Sequence, residues 1–227
     1  MKRTVTTLIV LLVASVASVS FPSSADAALR VPQVPVVGAA LQTYFNGIGE
    51  SINVLTDQDA TQTWSHTTSG TTAYTLMLET SNAGANGFGL YNGGDAVIGI
   101  QPVMAAARSA DALSTVTFMP GGNIVVNHFD EGGIFLFSVP FGGVDAANFG
   151  FALEVPNGPY YTQDARNPGG AARAIAFRGT GANAGTWWLC WEDGSDNDFD
   201  DTIYLMESVN PTPVSKTSWG QLKSRFQ

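Results

Sequence analysis

The segment Glu192-Asp-Gly-Ser-Asp-Asn-Asp-Phe-Asp-Asp201 places six carboxylates in ten residues, with no base among them. Like charges at this density repel and raise one another's pKa unless a cation sits between them. Asp196, Asp198 and Asp200 alternate, a spacing that lets side-chain oxygens converge on one hard ion, and Glu192, Asp193 and Asp201 flank them. Calcium accepts about six to eight such oxygens in irregular geometry, so Ca2+ is the expected occupant. Two histidines and a single cysteine offer zinc or copper no comparable set.

Part of this run matches the calcium loop of a helix–loop–helix hand. With Asp196 at position one, Asp198 falls at three, Asp200 at five and Glu207 at twelve. The Gly required at position six is Asp201, and Tyr204-Leu-Met206 reads as strand where the exit helix should stand. Only the half-loop ligand geometry is kept. Glu207 is a weaker ligand candidate because a strand carries it away from the tip, and Glu79 is weaker because it would have to approach from a neighbouring strand.

The loop needs two strands to hold it. Trp187, Leu189 and Trp191 alternate before it, and Ile203 and Leu205 alternate after it, which predicts a hairpin with the acids at its tip. Further short runs bounded by Gly, Asn, Asp or Pro predict strands over residues 73–79, 96–100, 113–118, 123–127, 133–137, 149–155, 174–177, 187–191 and 202–206. About ten short strands predict an all-β fold, an antiparallel β-sandwich or jelly roll. Leu41, Tyr44, Phe45 and Ile48 predict a short N-terminal helix, and the alanines of Val103–Ala112 predict another. Trp219, Leu222 and Phe226, behind Ser218, predict a short amphipathic helix in a basic tail carrying Lys216, Lys223 and Arg225.

Composition sets the frame. The 227 residues carry 10 Lys+Arg against 19 Asp+Glu, a net charge of −9, which argues against nucleic acid as a partner. Lys2 and Arg3, the apolar run to Ser20, and Ala25-Asp-Ala27 predict a secretory signal peptide over 1–27. Taking Lys2, Arg3 and Asp26 from the totals of 10 and 19 leaves 8 basic and 18 acidic residues in the exported chain. The expected order is a lead with a short helix over 28–60, a β-sandwich over 61–209, and a Pro-containing linker and tail over 210–227. No final apolar span follows, so no transmembrane anchor is expected in the mature chain. The tail, 214–227, is expected to dock to a partner or to the envelope.

The acidic run also resembles a family signature. Glu192-Asp193 followed by Ser195-Asp-Asn-Asp-Phe-Asp-Asp201 and an apolar strand is similar to the "Phe-Glu-Asp … Asp-x-Asp-(Phe/Tyr)-Asn-Asp" that closes the bacterial secreted domain-of-unknown-function family numbered 4114. Leu78-Glu79 with Gly87-Phe-Gly-Leu-Tyr91 resembles its opening, and Phe149-Gly-Phe-Ala-Leu153, Tyr161-Thr162 and Asn167 resemble its central strands and turn. The resemblance runs from Thr72 to Val209, with Trp191 in place of Phe and Asp200 in place of Asn. It implies an extracellular β-sandwich with a calcium site and no established activity.

His66 and His128 lie outside any nucleophile pattern, and His128-Phe-Asp130-Glu131 reads as a strand end beside a turn. Glu154 with Glu192 would have to face each other across a groove to act as a glycosidase pair. Gly179–Gly185 precedes a strand and lacks Lys, so it reads as a hairpin loop, not a phosphate cradle. Trp188, Tyr160 and Tyr161 would form a stacking platform for sugar rings if exposed. The sequence thus predicts an exported, non-enzymatic module, secreted or cell-surface with the periplasm as the alternative, with a structural calcium site in 192–201. Adhesion, matrix or surface assembly would be its role, through a surface protein or a glycan. The alternatives are a carbohydrate-binding accessory module and, behind it, a glycan hydrolase.

Overall fold

The computed structural model describes residues 29–35, 37–66, 69–80, 85–106 and 111–212. The expected signal peptide and the tail helix around Trp219 lie outside the described residues, as do positions 107–110 of the expected helix over 103–112.

One helix, α1 (Ala39–Gly47), precedes the strands. In chain order these are β1 (Trp64–Ser65), β2 (Gly70–Glu79), β3 (Gly87–Asn92), β4 (Gln101–Met104), β5 (Leu113–Met119), β6 (Asn123–Phe129) and β7 (Phe135–Phe141). They continue as β8 (Phe149–Glu154), β9 (Tyr160–Tyr161), β10 (Ala174–Arg178), β11 (Trp187–Trp191), β12 (Thr202–Glu207) and β13 (Asn210–Pro211). The fold is the expected all-β, antiparallel sandwich. One sheet has seven strands in the order β10-β11-β12-β2-β5-β6-β7; the other has six, β13-β1-β8-β3-β4 with β9 on β8.

The main core lies between the sheets. Alternation in β2, β5 and β6 sends Tyr74, Leu76, Val116, Phe118, Ile124 and Val126 inward to meet Phe88, Leu90, Phe149 and Phe151 of the facing sheet. Gly150 is where side-chain volume has to be absent, because a Cβ there would stand 2.3 Å from the Tyr91 ring. A second core lies on the outer face of the seven-stranded sheet, where Leu41 and Phe45 of α1 cover Phe177, Trp188, Cys190 and Ile203. β11 is therefore buried on both faces: Trp187, Leu189 and Trp191 enter the first core, Trp188 and Cys190 the second.

Three expectations are corrected. Residues 96–100 form no strand: Gly93-Gly94 turn the chain, Val97 stands 85% exposed, and pairing begins at Gln101. Val103 and Met104 are not helical but belong to β4, where both are buried against the facing sheet. Pro211 does not open a linker; it pairs with Trp64 at the sheet edge, a position where a missing N–H costs no ladder bond. No helix among the described residues is long and apolar enough to cross a membrane.

Candidate metal centre

The acidic run is the connection between β11 and β12, whose register is set by Trp191 opposite Thr202. Its shape is fixed by its own residues. Phe199 is fully buried in the second core although its φ is 58°, a left-handed conformation that costs a non-glycine residue about 1–2 kcal/mol. Asn197 is left-handed too, at φ 60°. Burying one ring in the middle of the run turns the flanking carboxylates back towards the hairpin.

Polar ties hold the rest. The Asp193 N–H donates to Asp201 Oδ2 at 2.7 Å, and the Gly194 N–H donates to Glu192 Oε1 at 2.9 Å. Arg173 donates to the Gly194 carbonyl at 2.6 Å, and Thr80 binds the Asp201 carbonyl through its N–H at 2.7 Å. The Gly38 N–H, at the entry to α1, donates to the Asp198 carbonyl at 3.3 Å.

The result is a compact carboxylate group. Glu192, Asp196, Asp198 and Asp201 each offer an oxygen, and these oxygens all lie within 4.8 Å of one another. Glu192 and Asp201 are buried, Asp198 is half-buried and Asp196 is exposed, so the group is closed below and open at the tip. Glu192 is 0% exposed, and its Oε2 is buried with no hydrogen-bond partner. A buried carboxylate oxygen without a donor carries a desolvation cost that a bound cation would cancel. This arrangement can hold a metal ion, and four carboxylates suit a hard one.

The electrostatics show the same strain. Burial, then the neighbouring charges of Asp201 and Asp196, push the Glu192 carboxyl up from 4.5 to about 7, against the pull of the Gly194 N–H. Burial and a hydrogen bond with Asp198 push Asp200 up from 3.8 to about 6. Both acids sit where negative charge is in excess.

The remaining expected ligands fall elsewhere. Asp193 is buried with its Oδ2 accepting from Asn86 Nδ2 at 2.6 Å, which turns that carboxylate into a brace between the hairpin and the start of β3. Asp200 neighbours Asp198 without joining the four. Glu79 pairs in register with Thr202, at the loop's base but outside the group. Glu207 lies exposed at the far end of β12, opposite Ala73, so the strand does carry it away. Asn86, Thr80, Arg173 and Gly38 support the site, yet carry no legible signal in the sequence because each acts from a distant segment.

Trp188 is fully buried, edge-on to Phe45 at 5.5 Å between ring centres, so it cannot be part of a sugar platform. Tyr160 is half-buried under the Arg173 guanidinium, 4.5 Å from the ring centre. His128 is buried, with Nδ1 3.2 Å from Ser114 Oγ and its ring against Phe137, while Asp130 accepts the Gly132 and Ile134 N–H groups of the following turn. His66 binds the Ser208 carbonyl through Nδ1 at 2.7 Å. The glycine-rich loop 179–185 is bound by a carboxylate: Glu50 accepts from the Thr180 N–H at 2.7 Å and from Asn183 at 2.6 Å. Burial pushes Glu50 up, but these donors outweigh it and hold the carboxyl below its ordinary value.

A scan of protein-family models finds none that matches this chain, and a search of curated proteins finds no match either.

Proposed function

We propose that the protein is an exported β-sandwich module whose 192–201 hairpin binds a structural calcium ion, and that it serves in adhesion, matrix or surface assembly. The observation that carries the reading is the buried Glu192 Oε2, without a donor, inside a group of four carboxylates whose oxygens lie within 4.8 Å. Glu192, Asp198 and Asp201 would hold the ion from below and Asp196 would close it from the solvent side. Calcium outranks zinc because every donor is a carboxylate, and outranks magnesium because an irregular, partly exposed loop tip does not enforce octahedral geometry.

The role is structural because the hairpin ties together parts distant in sequence. Its backbone meets Thr80 after β2 and Gly38 before α1, and Asp193 meets Asn86. An ion that neutralises the tip would fix all three contacts at once. The resemblance to the family numbered 4114 implies the same kind of module, and the excess of acids suits a calcium-rich exterior. The test is thermal melting of chelator-stripped protein with added Ca2+, read also by tryptophan fluorescence from Trp187, Trp188 and Trp191. A saturable rise in Tm, lost in the Asp196→Asn/Asp198→Asn double variant, is expected. No response up to millimolar calcium would reduce the loop to a solvated acidic turn.

A further inference from the structure

A cleft of about 760 Å³ lies beside the acidic hairpin, walled by the lead over residues 29–35, by the approach to β1, by the turns between β9 and β10, and by Asn197 and Phe199. Small-molecule sites have volumes of about 300–1,000 Å³. The lead is fastened in place by Gln58, which is fully buried. That side chain accepts from the Val34 N–H at 2.8 Å and donates to the Val34 and Val54 carbonyls, each at 3.0 Å. The Arg30 N–H donates to the Gln58 carbonyl at 2.8 Å.

The polar part of the lining is built around one carboxylate. Arg30, only 8% exposed, donates to Asp164 Oδ2, which also accepts from Gln62 Nε2 at 2.9 Å. The Asp164 N–H donates back to Gln62 Oε1 at 3.2 Å. Two lining atoms are left over: Asp164 Oδ1 and Thr212 Oγ1 are buried and have no hydrogen-bond partner among the described residues. Burial pushes the Asp164 carboxyl up, and the Arg30 guanidinium and the Gln62 amide only partly oppose it. The carboxylate therefore has an acceptor to spare. Arg30 has donors to spare, since one of its five N–H groups is used on Asp164.

We propose that this cleft binds a short neutral oligosaccharide, with Asp164 and Arg30 taking neighbouring hydroxyls and the lead lying against the ring carbons. The chemistry of the lining selects that class. Its charges cancel, because Arg30 is paired with Asp164, and the other polar groups are amides and hydroxyls such as Gln62, Gln163, Thr63 and Asn197. These groups donate and accept in equal measure, as sugar hydroxyls do. An anion would meet an arginine already neutralised and would be repelled by Asp196 and Asp198 on the adjoining hairpin. A cation would be drawn to those carboxylates instead. A wholly apolar ligand would leave the buried carboxylate and guanidinium without partners. The lip is apolar, with Val31 86% exposed beside Pro32 and Pro35, which offers C–H surface to the faces of sugar rings. The site owes nothing to Trp188, which is core. None of the four clustered carboxylates lines the cleft, so the proposal stands apart from ion binding.

The test is calorimetric titration of the purified chain with millimolar glucose, mannose, galactose and xylose oligomers, beside galacturonate oligomers, each in calcium and again in chelator. At least one neutral oligomer should bind saturably in one of the two conditions, so a hairpin that takes up no ion would not by itself decide the matter. Asp164→Asn keeps the shape and exchanges an acceptor for a donor; it should weaken binding about tenfold or more. Asn197→Gly removes a side chain from the opposite wall, at a φ of 60° that glycine adopts freely, and should weaken binding about fivefold with Tm near that of the wild type. The second variant decides even if the first loosens the lead, because Asn197 makes no contact with Arg30, Gln62 or Asp164 through a hydrogen bond. Failure of every neutral oligomer in both conditions would overturn the proposal. Binding left unchanged by Asn197→Gly, or tighter binding of the galacturonate oligomers, would overturn it as well.

Discussion

Glu192→Gln should change sign with calcium. The substitution removes a charge but keeps an oxygen for the Gly194 N–H, and its amide replaces the donorless Oε2. Without a cation, burial and the charges of Asp201 and Asp196 hold the wild-type carboxyl at about 7 instead of 4.5. The raised value means that the folded chain resists ionising Glu192, so stability is lost as pH rises from the unfolded value through about 7. At about 1.36 kcal/mol per unit this is roughly 3 kcal/mol at pH 8. Asp196 is exposed and water screens the tip, so about 2 kcal/mol is the better figure. The glutamine variant escapes that loss, and in chelator at pH 8 it should melt roughly 4–8 °C above the wild type. Calcium reverses the order. The wild type gains about 2.7 kcal/mol when calcium stands at a hundred times Kd, and the variant, lacking one carboxylate ligand, gains much less. Differential scanning calorimetry of both proteins, with chelator and with millimolar calcium, reads all four values. A variant less stable than the wild type in chelator, or an equal response of both to calcium, would refute the reasoning.

The same electrostatics give a pH profile. In chelator the wild-type Tm should fall between about pH 4 and pH 7 as Asp200, raised from 3.8 to about 6, and Glu192, raised from 4.5 to about 7, are forced to ionise in the fold, and saturating calcium should flatten that slope. Gly38→Ala would place a Cβ 2.4 Å from the Asp198 Cβ, so the hairpin must shift. It should cost about 1–3 kcal/mol in urea unfolding and weaken calcium binding without touching a carboxylate. Trp188→Ala should cost roughly 3–5 kcal/mol because the side chain is core, and its effect on any glycan binding should follow the loss of fold.

The strands that were legible are those in which one face is buried and the pattern alternates, as in Thr72, Tyr74 and Leu76 or in Ile124, Val126 and His128. β3 is not legible because a glycine interrupts it for a packing reason, a Cβ on Gly89 standing 2.5 Å from Ile100, whereas β8 is expected over 149–155 although Gly150 makes room in it for Tyr91. Neither neighbour is near in sequence. The hairpin and its acids could be read directly, since the ligand-bearing residues are consecutive. The division of labour among them could not. Asp193 serves Asn86, Asp200 lies beside the group, and the choice depends on Phe199 entering a core that Leu41 and Phe45 of α1 complete from far upstream. Whether Trp188 is exposed turns on the same helix, because a sheet with one covered face would expose it and α1 covers the other.

The central claim is tested most directly by calorimetric titration of chelator-stripped protein with Ca2+, beside Glu192→Gln and Asp198→Asn. The account predicts one saturable calcium site per chain in the wild type and strongly reduced binding in both variants. A wild type that takes up no calcium, or that binds it equally well without these carboxylates, would contradict it.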